Sequence, residues 1–139
     1  MNPALSPAFS KYDKYVGVPY LDRGRDMHGW DCFGLYCYVV AKEFGTVIRS
    51  YDHTYTSAEN REEVAGSIRM HAGEWQRIAP GDEREGDGVV FLLAGQPLHC
   101  GYVIEPGTML HALKRRETCI ERYDSLLWNR RIEGFYKWN

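Results

Sequence analysis

The spacing of apolar side chains predicts helices in the first part of the chain. Residues 7–16 carry such side chains at helical intervals after a Ser-Pro start, which indicates a short helix. The Gly- and Pro-containing segment 17–29 predicts a loop, and a helix is expected from residue 32 until Gly45 ends it. The capping-box sequence TSAE starts a more polar helix over 56–71. The residues expected on the buried face of the helix at 32–44 are Phe33, Cys37, Val40 (or Ala41) and Phe44.

From residue 74 onward, short runs rich in β-branched and aromatic residues alternate with Gly, Pro and Asp, which predicts strands joined by turns. The six runs are 74–79, 88–94, 98–104, 109–115, 118–123 and 132–138. Helices followed by a meander of strands are typical of an α+β fold, with an antiparallel sheet curled against the early helix. With 139 residues and no linker long enough to divide the chain, we expect one domain over residues 1–139.

Composition narrows the classes of partner. The 44% apolar and 26% charged residues are typical of a globular protein, and the net charge of −2 argues against nucleic acid or an anionic membrane surface as the main partner. No segment approaches the roughly 18 apolar residues of a membrane span. The first residues lack the pattern of a signal peptide, so we expect synthesis in the cytoplasm. The four cysteines follow no CxxC spacing, although their even number is compatible with disulfides.

Cys32 stands where a Gly- and Asp-rich loop meets the apolar helix. Asp31 is a good N-cap residue, which places Cys32 in the first turn. The partial positive charge and unpaired N–H groups at a helix N-terminus favour the thiolate, the reactive form of cysteine. The same N–H groups can stabilise an oxyanion after the sulfur attacks a carbonyl. The position predicts a nucleophile if a base lies nearby.

Two histidines on successive predicted strands are the candidate bases. A strict two-residue Pro-Gly loop would pair Tyr102 with His111 and send His99 to the opposite face. A three-residue Glu-Pro-Gly loop, with Gly107 at positive φ, pairs Gly101 with His111 instead. The two imidazoles are then diagonal neighbours, with roughly 7–8 Å between their backbones. We favour this second register.

The favoured register predicts a relay of three side chains. His99 takes the proton of Cys32, and His111 holds His99 in the required tautomer. The same three residues have the chemistry of zinc ligands, but no acidic partners or compact spacing accompany them, so we expect no metal. Cys100 and Cys119 are expected to serve packing and to be inert.

These motifs together resemble the NlpC-type cysteine peptidases, a papain-like family that cleaves bacterial cell-wall peptides. The stretches are GVPYLDRGRDMHGWDCFGL and EGDGVVFLLAGQPLHCGYVIEPGTMLHA, and the resemblance extends from about residue 15 to residue 138. Its elements are a Pro-Tyr loop, Asp-Cys-x-Gly-Leu at the start of a helix, Gly-Asp before a strand, and His-x-Gly followed twelve residues later by His-Ala.

The resemblance implies roles for five residues. Cys32 matches the nucleophile, His99 the general base and His111 the third polar residue. Tyr20 matches a loop tyrosine whose hydroxyl lies beside the nucleophile and helps to bind the substrate or the oxyanion. Asp31 matches an acidic residue that helps to shape the site for the free amino end of the substrate.

The expected function is a cysteine endopeptidase that hydrolyses peptidoglycan stem peptides, at the γ-D-Glu to diamino acid bond, without a cofactor. Phe33 stands where the family often has Ser, so the resemblance leaves open which peptide bond is cleaved. The short, leaderless chain is similar to the phage and prophage tail branch, so we expect association with the virion and with tail-tip proteins. Two alternatives stay open: a catalytically silent tail assembly component, and a thiol acyltransferase or amidase on the same fold.

Overall fold

The computed structural model describes residues 7–48 and 75–138, and its elements follow the predicted order. The helices are α1 (Pro7–Tyr12, continued by a 3-10 turn over Asp13–Tyr15), α2 (Cys32–Phe44) and α3 (Leu126–Asn129). The strands are β1 (Arg25–Asp26), β2 (Gly29–Trp30), β3 (Trp75–Ile78), β4 (Gly88–Leu93), β5 (Gln96–Glu105), β6 (Thr108–His111), β7 (Cys119–Arg122) and β8 (Ile132–Trp138). All six strands predicted after residue 74 are present. The helix predicted at 56–71 lies outside the described residues.

The six long strands form one antiparallel sheet in the order β3-β8-β4-β5-β6-β7. Strands β4 to β7 are the predicted meander, whereas β8 returns to lie between β3 and β4. The α+β class with a curled antiparallel sheet is therefore confirmed. Strands β1 and β2 form a small hairpin inside the segment predicted as a loop. Two-residue strands are too short to produce the alternating pattern by which strands are recognised in a sequence.

Two apolar cores lie against this sheet. The first contains side chains of α2 together with Tyr102 and Ile104 of β5. The second contains Val103, which points to the opposite side because side chains alternate along a strand, and the buried rings of Phe91 and Trp128. Within residues 7–48 and 75–138, no helix is long and apolar enough to cross a membrane.

Helix α2 begins and ends where the sequence predicts. The side chain of Asp31 accepts a hydrogen bond from the N–H of Gly34, and Gly45 ends the helix at a φ of 69°. The predicted buried face is wrong in part, because Phe44 is 50% exposed. Apolar side chains lie on nearly every side of this helix, so their spacing alone does not select one face. The side chains that α2 buries are those of Leu35, Tyr36, Val39 and Val40.

Candidate active site

The first turn of α2 places Cys32 at the positive end of a 13-residue helix. Cys32 as a whole residue is partly exposed. Gly34 allows the preceding loop to lie directly against this turn, because a Cβ at this position would be 2.0 Å from the carbonyl oxygen of Gly24. A residue with any side chain would push the loop away from the cysteine. The loop that contains Tyr20 and Asp31 therefore borders the nucleophile.

The β5–β6 hairpin has the register that the sequence analysis favours, although a bulge in β5 produces it and not a three-residue loop. The strand pairs Tyr102–Leu110 and Val103–Met109 set a register whose extension by one residue places Gly101 opposite His111. The turn itself has two residues, closed by the pair Glu105–Thr108, and a bulge between Val103 and Glu105 corrects the register. Gly107 has the expected positive φ, 96°. The predicted three-residue loop is thus replaced by a shorter turn and a bulge.

The two imidazoles share a face, as predicted. Nε2 of His99 lies 2.9 Å from Nδ1 of His111, and the two residues are 3% and 1% exposed. The ring of His99 packs against those of Phe91 and Trp128, at centroid distances of 5.6 and 5.5 Å, and these two rings contact each other at 4.9 Å. Trp128 also presents its ring edge-on to His111 at 5.3 Å. Aromatic packing thus fixes the orientation of both histidines.

Cys32 lies beside two successive residues of β5, His99 and Cys100, which act on its pKa. The largest effect on its pKa is a hydrogen bond from the Cys100 side chain; with bonds from His99 and from the Cys100 N–H, it holds the pKa of Cys32 well below its usual value although burial opposes this. The pKa of the Cys100 thiol is raised well above its usual value by the same bond and by burial. Cys32 is therefore the thiolate and Cys100 the thiol that donates to it. The raised pKa of Cys100 agrees with the expectation that its thiol is inert, but Cys100 also acts on the pKa of Cys32, because the first turn of α2 lies against β5.

Tyr20 lies in the loop that borders Cys32. It forms a parallel bridge with Trp30, whose indole Nε1 donates to Oγ1 of Thr118 at 2.7 Å and so ties the loop to the start of β7. Burial raises the pKa of Tyr20, and the charges of Cys32 and Asp31 raise it further. The phenol therefore keeps its proton and can donate a hydrogen bond beside the thiolate.

Asp31 is buried and its carboxylate is occupied within the protein. It accepts hydrogen bonds from Gly34 N at 2.8 Å, from Nη1 of Arg25 at 2.9 Å and from Arg23 N at 3.1 Å. These contacts cap α2 and fold the loop onto it. Binding of the free amino end of a substrate by Asp31 stays a prediction.

Phe33, which departs from the family pattern, packs into the first apolar core. Its ring stacks on Tyr36 at a centroid distance of 6.3 Å and meets Trp75 edge-on at 6.1 Å. The bulky residue after Cys32 therefore has a packing partner on the helix and another on β3.

Sequence analysis missed Glu121. Its Oε1 lies 2.8 Å from Nε2 of His111. His111 pairs with Cys119 across β6 and β7, so the side chain two residues further along β7 lies on the same face. Glu121 could have been found from the sequence by extending the alternation of side chains from His111 to the next predicted strand.

The side chains of His111, Cys119 and Glu121 have potential metal-ligand atoms within 4.8 Å of one another. However, Nε2 of His111, the atom that would face an ion, is hydrogen-bonded to Glu121. Burial and the neighbouring His99 lower the pKa of His111 to about 4. Burial tends to raise the pKa of Glu121, but the hydrogen bond from His111 and the neighbouring charges together outweigh burial, and the pKa is lowered. A neutral imidazole donating to a carboxylate accounts for this geometry without an ion.

Solved structures with the same fold include bacterial proteins of related description. A Staphylococcus aureus Mu50 protein described as similar to lipoprotein, NLP/P60 family, is 19% identical with a TM-score of 0.64, over 99% of this chain and 44% of that one. The NlpC/P60 domain of the peptidoglycan hydrolase SagA is 21% identical with a TM-score of 0.59, over 93% of both chains. An NlpC/P60 family protein from Bacillus cereus ATCC 10987 is 18% identical with a TM-score of 0.66, over 99% of this chain and 41% of that one.

This chain thus spans less than half of the S. aureus and B. cereus proteins. No curated protein matches its sequence. A sequence model of the NlpC/P60 family, however, matches residues 17–137, which include the whole candidate site. The chain belongs to the NlpC/P60 family.

Proposed function

We propose that the protein is a cysteine endopeptidase that hydrolyses peptidoglycan stem peptides at the bond between the γ-carboxyl of D-Glu and the diamino acid. The observation that carries this proposal is the arrangement at the N-terminus of α2, where Cys32 lies beside His99 and Nε2 of His99 is hydrogen-bonded to Nδ1 of His111. Members of the NlpC/P60 family are generally cysteine peptidases or peptidoglycan hydrolases. The choice of bond rests on the sequence resemblance.

In the first step, the thiolate of Cys32 attacks the carbonyl carbon of the scissile bond. The carbonyl oxygen becomes an oxyanion, which accepts hydrogen bonds from the N–H of Cys32 and the hydroxyl of Tyr20. The N–H of Cys32 lies in the first helical turn and has no acceptor within the helix. The raised pKa of Tyr20 keeps its hydroxyl protonated for this role.

In the second step, protonated His99 donates its proton to the leaving amine as the carbon–nitrogen bond breaks. The product is a thioester between Cys32 and the acyl part of the peptide. A water molecule, deprotonated by His99, then attacks the thioester carbon. The acid is released, and the Cys32 thiolate and His99 imidazolium are restored.

Replacement of Cys32 by Ala tests this function. We expect Cys32→Ala to abolish the release of fragments from defined muropeptides, as measured by mass spectrometry, while the melting temperature stays nearly unchanged. Cys37→Ala is the matched control, because it removes a thiol from the same helix outside the site and should leave cleavage intact. Undiminished cleavage by Cys32→Ala would refute the mechanism. Adding a free amine acceptor distinguishes hydrolysis from acyl transfer, since a transferase would yield the amide.

The proposed setting is a phage tail, with tail-tip proteins as partners. It rests on the sequence resemblance, and none of the similar proteins named above is described as a tail protein. Phage particles that carry Cys32→Ala should assemble normally and fail at wall penetration. Failure of assembly would instead favour the silent structural component.

A further inference from the structure

The hydrogen-bonded series does not end at His111. Its Nδ1 faces Nε2 of His99 at 2.9 Å, and its Nε2 faces Oε1 of Glu121 at 2.8 Å. The side chain of His111 is fully buried, whereas that of Glu121 is 27% exposed. A carboxylate at the rim of the site is therefore joined to two buried imidazoles.

The carboxylate decides which nitrogen of His111 carries the hydrogen. An ionised carboxylate can only accept, so Nε2 of His111 must donate to Glu121. His111 is neutral near pH 7 because its pKa is lowered to about 4, so its Nδ1 holds a lone pair and accepts from Nε2 of His99. Because Nε2 of His99 is used by His111, Nδ1 is the nitrogen left to exchange a proton with Cys32.

We propose that Glu121 is a positioning residue that fixes the tautomers of both histidines, so that Nδ1 of His99 exchanges the proton with Cys32; this inference rests on the proposed function. A neutral imidazole without such a partner can carry its hydrogen on either nitrogen. With hydrogen on Nδ1 of His111, neutral His99 would accept at Nε2 and carry hydrogen at Nδ1. His99 could not then take a proton from Cys32. Glu121 excludes that arrangement.

The charge of Glu121 acts in the same direction. During proton transfer from Cys32, the negative charge beyond His111 attracts the positive charge that develops on His99, and this attraction is weakly screened because aromatic rings exclude water from His99. Other titratable or charged groups near this series, within the part of the chain that the structure describes, are Tyr20, Asp22 and Asp31 of the loop, Cys37 of α2, Cys100 of β5, Arg116 before β7 and Cys119 of β7.

Two variants separate the hydrogen-bond acceptor from the charge. Glu121→Ala removes both, and Glu121→Gln keeps the shape of the side chain but removes the charge. Glu117→Gln is the matched control, because it removes the same charge from an exposed position in the loop before β7. Nitrogen-15 NMR of the histidine rings reports which nitrogen is protonated, and it needs no substrate.

We expect His111 of the wild-type protein and of Glu117→Gln to be protonated at Nε2 only. In Glu121→Ala, His111 should be a mixture of the two neutral tautomers, one protonated at Nε2 and the other at Nδ1. The pH profile of Cys32 alkylation by iodoacetamide should move to higher pH in both Glu121 variants. With muropeptides, kcat should fall on the order of 10- to 100-fold, while KM stays unchanged because Glu121 does not touch the substrate.

A single Nε2-protonated tautomer of His111 in Glu121→Ala, or a wild-type alkylation profile in Glu121→Gln, would overturn the inference. The inference would also be overturned if the Glu121 variants changed only the melting temperature, because Glu121 would then have a structural role only. If Glu121→Ala does not fold, Glu121→Gln carries the test through its alkylation profile. Failure of the proposed function is distinct, because it leaves the wild-type protein unable to cleave muropeptides whatever the NMR and alkylation results.

Discussion

Two parts of the candidate site hold their side chains in different ways. His99 and His111 stand on paired strands of the six-stranded sheet and are buried. Tyr20 lies in the loop 17–31, which is tied to the start of β7 by hydrogen bonds to Thr118, including Gly17 N to Thr118 O at 2.9 Å and the Trp30 indole at 2.7 Å. The proton-transfer groups are therefore set by a ladder of backbone bonds, and the loop group by a few separate contacts.

This difference suggests a division of tasks. Proton transfer needs atoms held within a few tenths of an ångström, which strands provide better than loops. A loop can change its sequence without disturbing the sheet, and it suits contacts that vary with the substrate. Variants of the hairpin should therefore alter chemistry, whereas variants of the loop should leave the proton transfer intact.

The largest effect is expected for His99→Ala. Loss of the general base should lower kcat/KM for muropeptide cleavage on the order of 10³-fold. Alkylation of Cys32 at neutral pH should also slow, because the hydrogen bond and charge of His99 help to hold the pKa of the thiol down. His28→Ala is the matched control, since the His28 side chain is 94% exposed. Equal activity of the two variants would show that His99 takes no part in the reaction.

The burial of His111 should appear as a pH dependence of stability. Its pKa is lowered from 6.5 to about 4, chiefly by burial, so the unfolded chain binds a proton more readily than the folded protein. The free energy of unfolding should therefore fall as pH decreases from about 6.5 to 4, by up to about 3 kcal/mol. Urea unfolding at pH 7 and pH 4.5 measures this loss. His111→Gln should show a smaller loss than the wild-type protein, and an equal loss would contradict the assignment.

Tyr20→Phe tests the loop side of the comparison. Removing the hydroxyl should lower kcat on the order of 10²-fold if it stabilises the oxyanion. The alkylation profile of Cys32 should stay close to that of the wild-type protein, because the hydrogen bonds to Cys32 come from β5. Tyr38→Phe removes a hydroxyl from α2 outside the site and serves as control. A kcat equal to that of the control would exclude Tyr20 from the oxyanion site.

The smallest effect on activity is expected for Cys100→Ala, because His99 and the Cys100 N–H still lower the pKa of Cys32 when the Cys100 thiol is removed. Without the thiol that donates to Cys32, the pKa of Cys32 should rise toward its usual value, and the thiolate fraction should fall at neutral and acidic pH. Alkylation near pH 6 should slow by about tenfold at most, and the difference should disappear at high pH. Cys37→Ala should leave the profile unchanged. Identical profiles for Cys100→Ala and the wild-type protein would show that His99 alone activates the thiol.

Sequence reasoning succeeded where neighbours along the chain decide the outcome. The cap at Asp31 depends on residues within one turn, and the common face of His99 and His111 follows from alternation within one hairpin. It failed where packing between distant elements decides. The insertion of β8 between β3 and β4 has no local signal, and an apolar helix such as α2 does not reveal which side it buries.

The same distinction holds within the candidate site. Cys100 became a partner of Cys32 because the first turn of α2 lies against β5, and no spacing in the sequence indicates that contact. Trp128 reaches both histidines from α3, far along the chain. Glu121 could have been predicted by extending the alternation of side chains by one strand, from β6 to β7.

The most direct test of the central claim is to trap the acyl-enzyme. Wild-type protein mixed with a defined muropeptide is quenched in acid during turnover, digested and examined by mass spectrometry. We predict that the peptide containing Cys32 gains the mass of the acyl fragment, as a thioester that hydroxylamine removes. Cleavage of the muropeptide without any adduct on Cys32, and with full activity in Cys32→Ala, would contradict the account.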